Sequence, residues 1–446
     1  MGRSRILIAG GGVGALESAL ALRELVGPLA AIALATPAEA LEYRPLAVAE
    51  PFGYAATHRL EFSRLERTHG VTHRPERIDR VDVAGRRALG TLTGWSEYDA
   101  LVVAVGARPR RWLEGALTFG GARDVDAYRA LLEAIRMGEV RQVVFVQPPE
   151  LAWPLPLYEL ALLTAAWAAE QGATELELDL VVADAAPLAD FGPAAGLAVR
   201  DLLSDRGIRL HPGRKVERVR DGRAWLDTGD WLHADRLITL PMLTGAAPEG
   251  LPIDASGFLP VADDGAVQGA PGVWAIGDAT SRSVKHGGLA AQQADVAAAA
   301  IAAHLGVAVP APAISPTMHG VLLTGVASAY LRAELTGRRG SEVAFNPLWS
   351  PPVKVAGRLL APYLAGEAAI LATPAMRERA PVTGEQAPED RVALRELALT
   401  FATDDAARGE HRSALRWLQT VEWLDGALTP DLASLRDAWE RTGTAG

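Results

Sequence analysis

Three glycines near the beginning of the chain have the spacing of a turn that binds a diphosphate. Residues 5–9 form a short apolar run that predicts a buried parallel strand, and an Ala/Leu-rich helical pattern opens directly after the glycines. In such a turn Gly10 reverses the chain, Gly12 lets the backbone approach a pyrophosphate, and Ala15 allows close helix–strand packing. The free N–H groups and positive dipole end of the helix would hold the negative charge. The sequence therefore predicts a dinucleotide site that includes Gly10, Gly12, Val13, Gly14 and Ala15.

Two more patches that could carry chemistry lie far from this turn. Residues 98–109 contain an apolar strand pattern that runs into Ala104 and Gly106. Residues 272–278 form another short strand that ends in Gly277 and Asp278. In an open parallel sheet, ligands bind outside the carboxyl ends of the strands. Asp278 is therefore expected to point into the binding crevice.

The ordered set of three patches resembles the two-dinucleotide-fold flavoproteins, the pyridine nucleotide–disulphide reductase superfamily in its broad sense. The resemblance covers roughly residues 1–310 and implies FAD bound non-covalently. It also implies that the strand with Ala104 and Gly106 lies beside the cofactor. In the same way, it implies that Gly277 and Asp278 hold the flavin ribityl chain.

The helix expected after Asp278 would act on one edge of the flavin. Its first backbone N–H groups, at Gly288, Leu289 and Ala290, would place a positive dipole end at the flavin N1/O2 edge. Lys285 would add a full positive charge to the same edge, which would make it a catalytic residue. A solvated lysine is an equally simple interpretation of the sequence.

Within the superfamily, residues 42–46, which include Arg44, look most like sulfide:quinone reductases and flavocytochrome c sulfide dehydrogenases. Residues 148–159 are similar to a proline-rich loop of those enzymes, in which Trp153 stands at the position of a redox cysteine. The chain contains no cysteine, which excludes persulfide chemistry through a thiol relay. Trp153 and Tyr158 are expected to shape the pocket opposite the flavin. The simpler alternative for Tyr158 is a helix start inside the core.

A second site for NAD(P)H would need its own glycine turn. Residues 147–150 read Gln-Pro-Pro-Glu instead, with no glycine, two prolines that lack N–H groups, and a carboxylate that would repel phosphate. We therefore expect NAD(P)H to bind poorly or not at all in the usual pose. A further departure lies at the end of the second strand. There the resemblance implies an acid on the adenosine ribose, and this chain has Thr36, with Glu39 nearby as a substitute.

Composition limits the partners and the compartment. The 446 residues carry 44 basic and 54 acidic side chains, a net charge of −10, which makes nucleic acid a poor partner. Neither a signal peptide nor a membrane-spanning run is expected, which predicts a cytoplasmic protein. The histidines form no ligand pattern, His69 and His73 included, so no metal site is predicted.

The alternation of strands and helices predicts an α/β fold with two Rossmann-like dinucleotide-binding domains, a C-terminal cap and a small helical appendage. The expected FAD-binding domain is discontinuous, with the second nucleotide-binding-like domain inserted in it. The predicted boundaries are 1–120 with 268–310, then 121–267, a cap at 311–375, a linker at 376–392 and the appendage at 393–446. Between about 310 and 366 the pattern is irregular.

Residues 346–364 allow two interpretations. Lys354 and Arg358 fall on one side of this segment and apolar side chains on another, which suits an amphipathic piece in peripheral contact with the inner face of a membrane. Gly357 and Pro362 would cut such a helix short, which favours packing against the protein's own core. A homo-oligomer is also compatible with the sequence.

These observations predict an FAD-dependent oxidoreductase. A small-molecule donor would deliver an electron pair to flavin N5, and a quinone or another small acceptor would take it up, without a cysteine relay. Residues near Trp349 would complete the pocket. Two alternatives stay open. One is a sulfide:quinone reductase or a type II NADH dehydrogenase-like enzyme, and the other is a catalytically inactive flavin-binding scaffold whose tail, with Trp417, Trp423 and Trp439, recruits partners.

Overall fold

The structure is a computed structural model that describes residues 3–149, 152–309, 316–335, 341–365 and 428–443, with a few single positions between 395 and 421. The predicted linker 376–392 lies outside the described residues. Of the predicted appendage 393–446, the helix Pro430–Gly443 is the main described part. Trp417 and Trp423 also lie outside the described residues.

The described strands build two parallel sheets and several small antiparallel ones. In chain order they are β1 Ser4–Ala9, β2 Ala30–Ala35, β3 Ala40–Tyr43, β4 His58–Glu61, β5 Thr72–Arg74, β6 Ile78–Asp82, β7 Arg87–Gly90, β8 Gly94–Glu97, β9 Ala100–Val103, β10 Ala107–Arg110, β11 Leu117–Thr118, β12 Gln142–Val146, β13 Glu177–Val182, β14 Ile208–Pro212, β15 Val216–Arg220, β16 Arg223–Leu226, β17 Trp231–His233, β18 Arg236–Thr239, β19 Met242–Gly245, β20 Val273–Ala275, β21 Thr317–Leu323, β22 Ser328–Glu334 and β23 Ser341–Ala344.

The described helices are numbered in the same way. They are α1 Val13–Val26, α2 Phe62–His69, α3 Val125–Arg136, α4 Leu155–Gln171, α5 Pro193–Asp205, α6 Gly287–His304, α7 Leu360–Ala365 and α8 Pro430–Gly443. No helix among the described residues is both long enough and apolar enough to cross a membrane.

The first parallel sheet has the strand order β20-β9-β1-β2-β5. Its central strands are buried on both faces, as Ile8 and Val102 illustrate with no exposed surface, which is why they read as continuous apolar runs rather than as alternating patterns. Helices α1 and α6 pack against each other over this sheet. The carboxyl ends of β1, β9 and β20 therefore open beside the beginnings of both helices.

The second parallel sheet has the order β11-β18-β12-β13-β14. Apolar residues of α3, α4 and α5 share one buried cluster with its strands, and Phe145 and Leu160 are completely buried there. The antiparallel pair β10-β19 lies along the connections between the two parallel sheets. Two parallel sheets with helices packed against them confirm the predicted α/β fold class.

The region expected to be irregular contains a regular sheet instead. Strands β21, β22 and β23 form an antiparallel meander. The sequence pattern hid it because Val321, Leu322 and Leu323 are all buried, so the period-two alternation of a half-exposed strand is missing. This sheet lies against α4 and α6 and places His319 beside the first-sheet helices.

Candidate functional site

A cleft with a volume of about 900 Å³ runs from the carboxyl ends of the first sheet towards the second sheet. Most of the residues predicted to bind the cofactor line it. They are Gly12, Val13, Gly14, Thr36, Arg44, Ala104, Gly106, Gly277, Asp278 and Ala290, joined by the predicted pocket residues Trp153 and Lys285. The structure thus brings together three patches that are far apart in the sequence.

The geometry of the turn between β1 and α1 shows why glycines are needed there. Gly10 has a φ of +128°, and a Cβ there would overlap the carbonyl oxygen of Ala104. A Cβ on Gly11 would lie 2.8 Å from Thr36 Oγ1, whereas a Cβ on Gly12 would project into open space. Ala15 is fully buried in the helix–sheet core rather than in the cleft. Gly10 and Ala15 therefore shape the turn, and Gly12 forms the open floor on which a diphosphate can lie.

Asp278 is a carboxylate that lines the cleft. It follows β20 in a short 3-10 turn, and no donor within the described residues reaches its oxygens. Burial raises the pKa of Asp278, and the positive charges of Lys285 and Arg44 act in the opposite direction. The side chain is half-buried at the cleft wall, and an ionised carboxylate can only accept hydrogen bonds, so it is open to donors from a bound ligand. Asp278 therefore fits the hydroxyl groups of an FAD ribityl chain.

Lys285 lies in the cleft wall next to Asp278. Its Nζ donates a hydrogen bond to the carbonyl oxygen of Thr280 and sits 3.9 Å from the centre of the Phe258 ring. Burial lowers the pKa of Lys285 to about 8, and Asp278 and Asp254 oppose that shift. The lysine is thus a held side chain rather than a solvated one. Its action on a flavin edge stays a prediction.

His286 changes what the start of α6 can offer. Its Nδ1 accepts a hydrogen bond from the Leu289 N–H at 3.3 Å, and its carbonyl oxygen accepts one from the Ala290 N–H at 2.9 Å. Leu289 and Gly288 also lie outside the cleft lining. The expectation that the N–H groups of Leu289 and Ala290 are free is therefore wrong, because the histidine caps the helix. The N–H groups of Gly287 and Gly288 remain without an acceptor among the described residues.

Trp153 lines the cleft. It stands at the position where the resemblance implies a redox cysteine. Its ring lies 4.3 Å from the His286 ring and 5.6 Å from the Phe191 ring, centre to centre. Burial lowers the pKa of His286 to about 3 and that of His319 to about 4, so both rings are neutral at physiological pH. This end of the cleft is an uncharged aromatic surface.

Tyr158 does not reach the cleft. It is completely buried, and its hydroxyl accepts a hydrogen bond from the Leu188 N–H at 3.3 Å. The expectation that Tyr158 shapes the pocket is corrected, because the phase of α4 points the tyrosine into the core. The cleft-facing residues of this helix are Leu155, Pro156 and Glu159, which have the spacing of one helix face.

Sequence analysis missed an ion pair in the cleft wall. Glu159 Oε1 lies 2.6 Å from Lys354 Nζ, and both side chains are buried, with exposures of 1% and 7%. Lys354 also donates to the carbonyl oxygen of Pro45 at 3.0 Å, and Glu159 accepts the Leu323 N–H at 3.0 Å. Burial raises the pKa of Glu159, and the Lys354 charge opposes that rise.

One signal for this pair was present in the composition. The chain contains 44 basic residues but only three lysines, and two of the three, Lys285 and Lys354, line the cleft. Lysine differs from arginine in that its pKa shifts readily on burial. Burial lowers the pKa of Lys285 to about 8, and the rarity of lysine in the chain singles out Lys354 as well.

Residues 346–364 pack against the protein itself. The Val355 N–H donates to the hydroxyl of the buried Tyr43, and only Leu360–Ala365 is helical. The Trp349 indole donates to the Val353 carbonyl oxygen, and its ring contacts the His319 ring at 4.8 Å. Trp349 thus supports the cleft wall from behind.

A protein-family profile and a related protein sequence both match this chain. A profile of the pyridine nucleotide-disulphide oxidoreductase family matches residues 160–299. An NADH dehydrogenase-like protein of Mycobacterium tuberculosis is 28% identical over 298 residues, which is 62% of this chain and 72% of that protein.

Solved structures share the fold. The sulfide:quinone oxidoreductase of Aquifex aeolicus superposes with a TM-score of 0.70 at 16% identity, covering 77% of this chain and 87% of that one. A ferredoxin reductase of Rhodopseudomonas palustris superposes with a TM-score of 0.57 at 21% identity, covering 74% of this chain and 82% of that one.

Proposed function

Because the chain belongs to the pyridine nucleotide–disulphide oxidoreductase superfamily of flavoproteins, we propose that it is an FAD-dependent oxidoreductase that passes two electrons from a small donor to a quinone or similar small acceptor. The observation that carries this proposal is the cleft, which joins a glycine turn suited to a diphosphate, the Asp278 carboxylate, which has no hydrogen-bond donor among the described residues, and an aromatic pocket. No cysteine takes part, since the chain has none.

The residues of the cleft divide between binding and chemistry. Gly12, Val13 and Gly14 would hold the diphosphate without a covalent bond, and Asp278 would accept hydrogen bonds from ribityl hydroxyls. When bound, FAD supplies two-electron chemistry at N5. Thr36 also lines the cleft, beside Gly11 of the glycine turn, where its hydroxyl would replace the acid implied for the adenosine ribose.

The aromatic end of the cleft suits an uncharged planar acceptor. Trp153, His286 and His319 carry no charge at neutral pH, and the opposite charges of Glu159 and Lys354 cancel each other. Reduction of a quinone by a hydride also consumes one proton. The Glu159–Lys354 pair holds a proton inside the cleft wall, at Lys354 Nζ, where it can be delivered to the acceptor oxygen.

NADH is expected to be a poor donor. Strand β12 ends at Val146 and is followed by Gln147, whose side chain donates to Asp184 at 2.8 Å. Pro148 and Pro149 come next, without N–H groups for a phosphate. We expect micromolar NADH to leave the flavin oxidised under anaerobic conditions, when followed by its visible absorbance. Rapid bleaching by micromolar NADH would contradict this expectation and favour the NADH dehydrogenase-like alternative that the M. tuberculosis relative suggests.

A donor-independent experiment tests the proposal. The protein is loaded with FAD, reduced anaerobically with dithionite, and mixed with menadione in a stopped-flow instrument. Rapid reoxidation of the flavin that saturates with menadione supports an enzyme with an acceptor pocket. A slow, non-saturating rate equal to that of free reduced FAD would favour the scaffold alternative.

A further inference from the structure

The segment that carries Lys354 is fastened to the two helices that begin at the cleft. We call residues 353–360 the strap. Its first part lines the cleft through Lys354 and Val355. Its second part lies against α1 and α6, where Glu17 of α1 meets the beginning of α7.

Glu17 makes both of its oxygens available to the strap. Oε1 accepts the Leu359 N–H and Oε2 accepts the Leu360 N–H, each at 2.7 Å, and the glutamate has no exposed surface. These two N–H groups open α7 and have no partner within a helix of that length. Both oxygens of one buried carboxylate therefore fix two adjacent N–H groups of the strap to α1.

Gly357 and Arg358 fit the same anchor. A Cβ on Gly357 would lie 2.5 Å from Glu17 Oε2, so a side chain there would displace the carboxylate. Arg358 bridges the two helices, with Asp295 of α6 at 2.9 Å and Glu24 of α1 at 2.8 Å. The contact around Glu17 therefore depends on two backbone N–H donors, on a glycine that leaves room for the carboxylate, and on an arginine that joins α1 to α6.

We propose that Glu17 is a positioning residue that holds the strap, and with it Lys354, at the cleft, and so couples the diphosphate-binding helix to the proton-holding pair. The Glu17 carboxylate lies on the helix that follows Gly12, one turn from its beginning. Lys354 lies three residues before Gly357 on the strap. A shift of the Glu17 contact would therefore move Lys354 relative to Glu159. This inference rests on the proposed function for the role of Lys354.

The charge of Glu17 makes the anchor sensitive to pH. Burial raises the pKa of Glu17 to about 7 from an ordinary 4.5, Asp295 acts in the same direction, and Arg358 and the two N–H groups oppose it. Opening of the strap would return the carboxyl to water and towards its ordinary pKa, so opening releases a proton. Opening is therefore favoured as pH rises from about 4.5 to about 7, and levels off above that range. Asp295, whose pKa burial also raises, adds a contribution of the same sign.

Hydrogen–deuterium exchange of the Leu359 and Leu360 amides tests the proposal in the FAD-loaded protein, after correction for intrinsic exchange rates. Glu17→Ala should accelerate exchange at both amides by about tenfold or more. Gly357→Ala should do the same without a change of charge, which also serves if Glu17→Ala fails to fold. Glu24→Gln is the matched control, since the exposed Glu24 contacts the same strap through Arg358, and it should change exchange by less than about twofold.

The pH arm separates positioning from simple packing. In the unaltered protein the two amides should exchange faster at pH 8 than at pH 5.5, and Glu17→Gln should remove most of that difference. Exchange unchanged in Glu17→Ala and Gly357→Ala, or a full pH difference retained in Glu17→Gln, would overturn the proposal. These readouts do not depend on reoxidation by menadione, so failure of the acceptor chemistry would not imitate failure of this inference.

Discussion

Replacement of Asp278 by alanine is expected to weaken FAD binding by roughly 10- to 100-fold. The change removes the carboxylate that faces the cleft without a donor from the described protein. A hydrogen bond to a charged group contributes about 1.5–3 kcal/mol, which corresponds to this range. Asp278→Asn keeps the size and one acceptor oxygen, so it should lose less affinity. The dissociation constant is measured by titration of the FAD-free protein with FAD.

The control for this prediction is Asp263→Ala. Asp263 is exposed and outside the cleft, so its removal changes the net charge equally without touching the site. FAD affinity unchanged in Asp278→Ala, or lowered equally by both substitutions, would contradict the assignment.

Replacement of Lys354 by methionine is expected to cost about 3 kcal/mol of stability, seen as a fall of roughly 5 °C in the thermal midpoint. The substitution keeps the apolar length of the side chain but leaves Glu159 buried, with an exposure of 1% and no counter-charge. Reoxidation of the reduced, FAD-loaded protein by menadione should slow in the same variant.

A double substitution separates the ion pair from the packing of these residues. Glu159→Gln with Lys354→Met should recover most of the lost thermal stability, because no unpaired charge remains. It should not recover the rate of reoxidation, because the proton-holding pair is gone. Arg209→Met is the matched control, since Arg209 pairs with the buried Asp179 at 2.8 Å and both residues lie outside the cleft lining. If Lys354→Met left the thermal midpoint unchanged, Lys354 would not be the residue that compensates the buried charge of Glu159, and this account of the ion pair would be wrong.

The sequence predicted the parts of the molecule that depend on local signals. Gly10 requires a positive φ and Gly12 requires open space, and both requirements are visible as glycines between an apolar strand and a helix. Asp278 follows a buried strand directly, so its place at the carboxyl end of the sheet could be inferred. The parallel sheets were predictable for the same reason, since buried strands are short apolar runs.

The missed parts depend on contacts between distant segments. Glu159 and Lys354 are 195 residues apart, and neither has a local pattern that points to the other. Glu159 is the one buried acid of the long apolar helix α4, whose other acid, Glu170, is exposed; a buried acid is a signal for a charge that needs a partner. Helix phase, rather than residue type, decided between Tyr158 and Glu159.

His286 illustrates a different limit. Ser, Thr, Asp and Asn are the residues that usually cap helices, so a histidine before two glycines did not predict a cap. Its role became clear only when its Nδ1 was placed at 3.3 Å from the Leu289 N–H and its ring beside Trp153. The sheet β21-β22-β23 that supports His319 was hidden for another reason, because the last four residues of β21 are all buried and show no alternation.

The visible absorption spectrum of the purified protein tests the central claim most directly, recorded as isolated and again after incubation with excess FAD and removal of the unbound cofactor. We expect flavin bands that correspond to one FAD per chain and that persist through gel filtration, with the FAD released intact on heating. A folded, colourless protein that takes up no FAD would contradict the account.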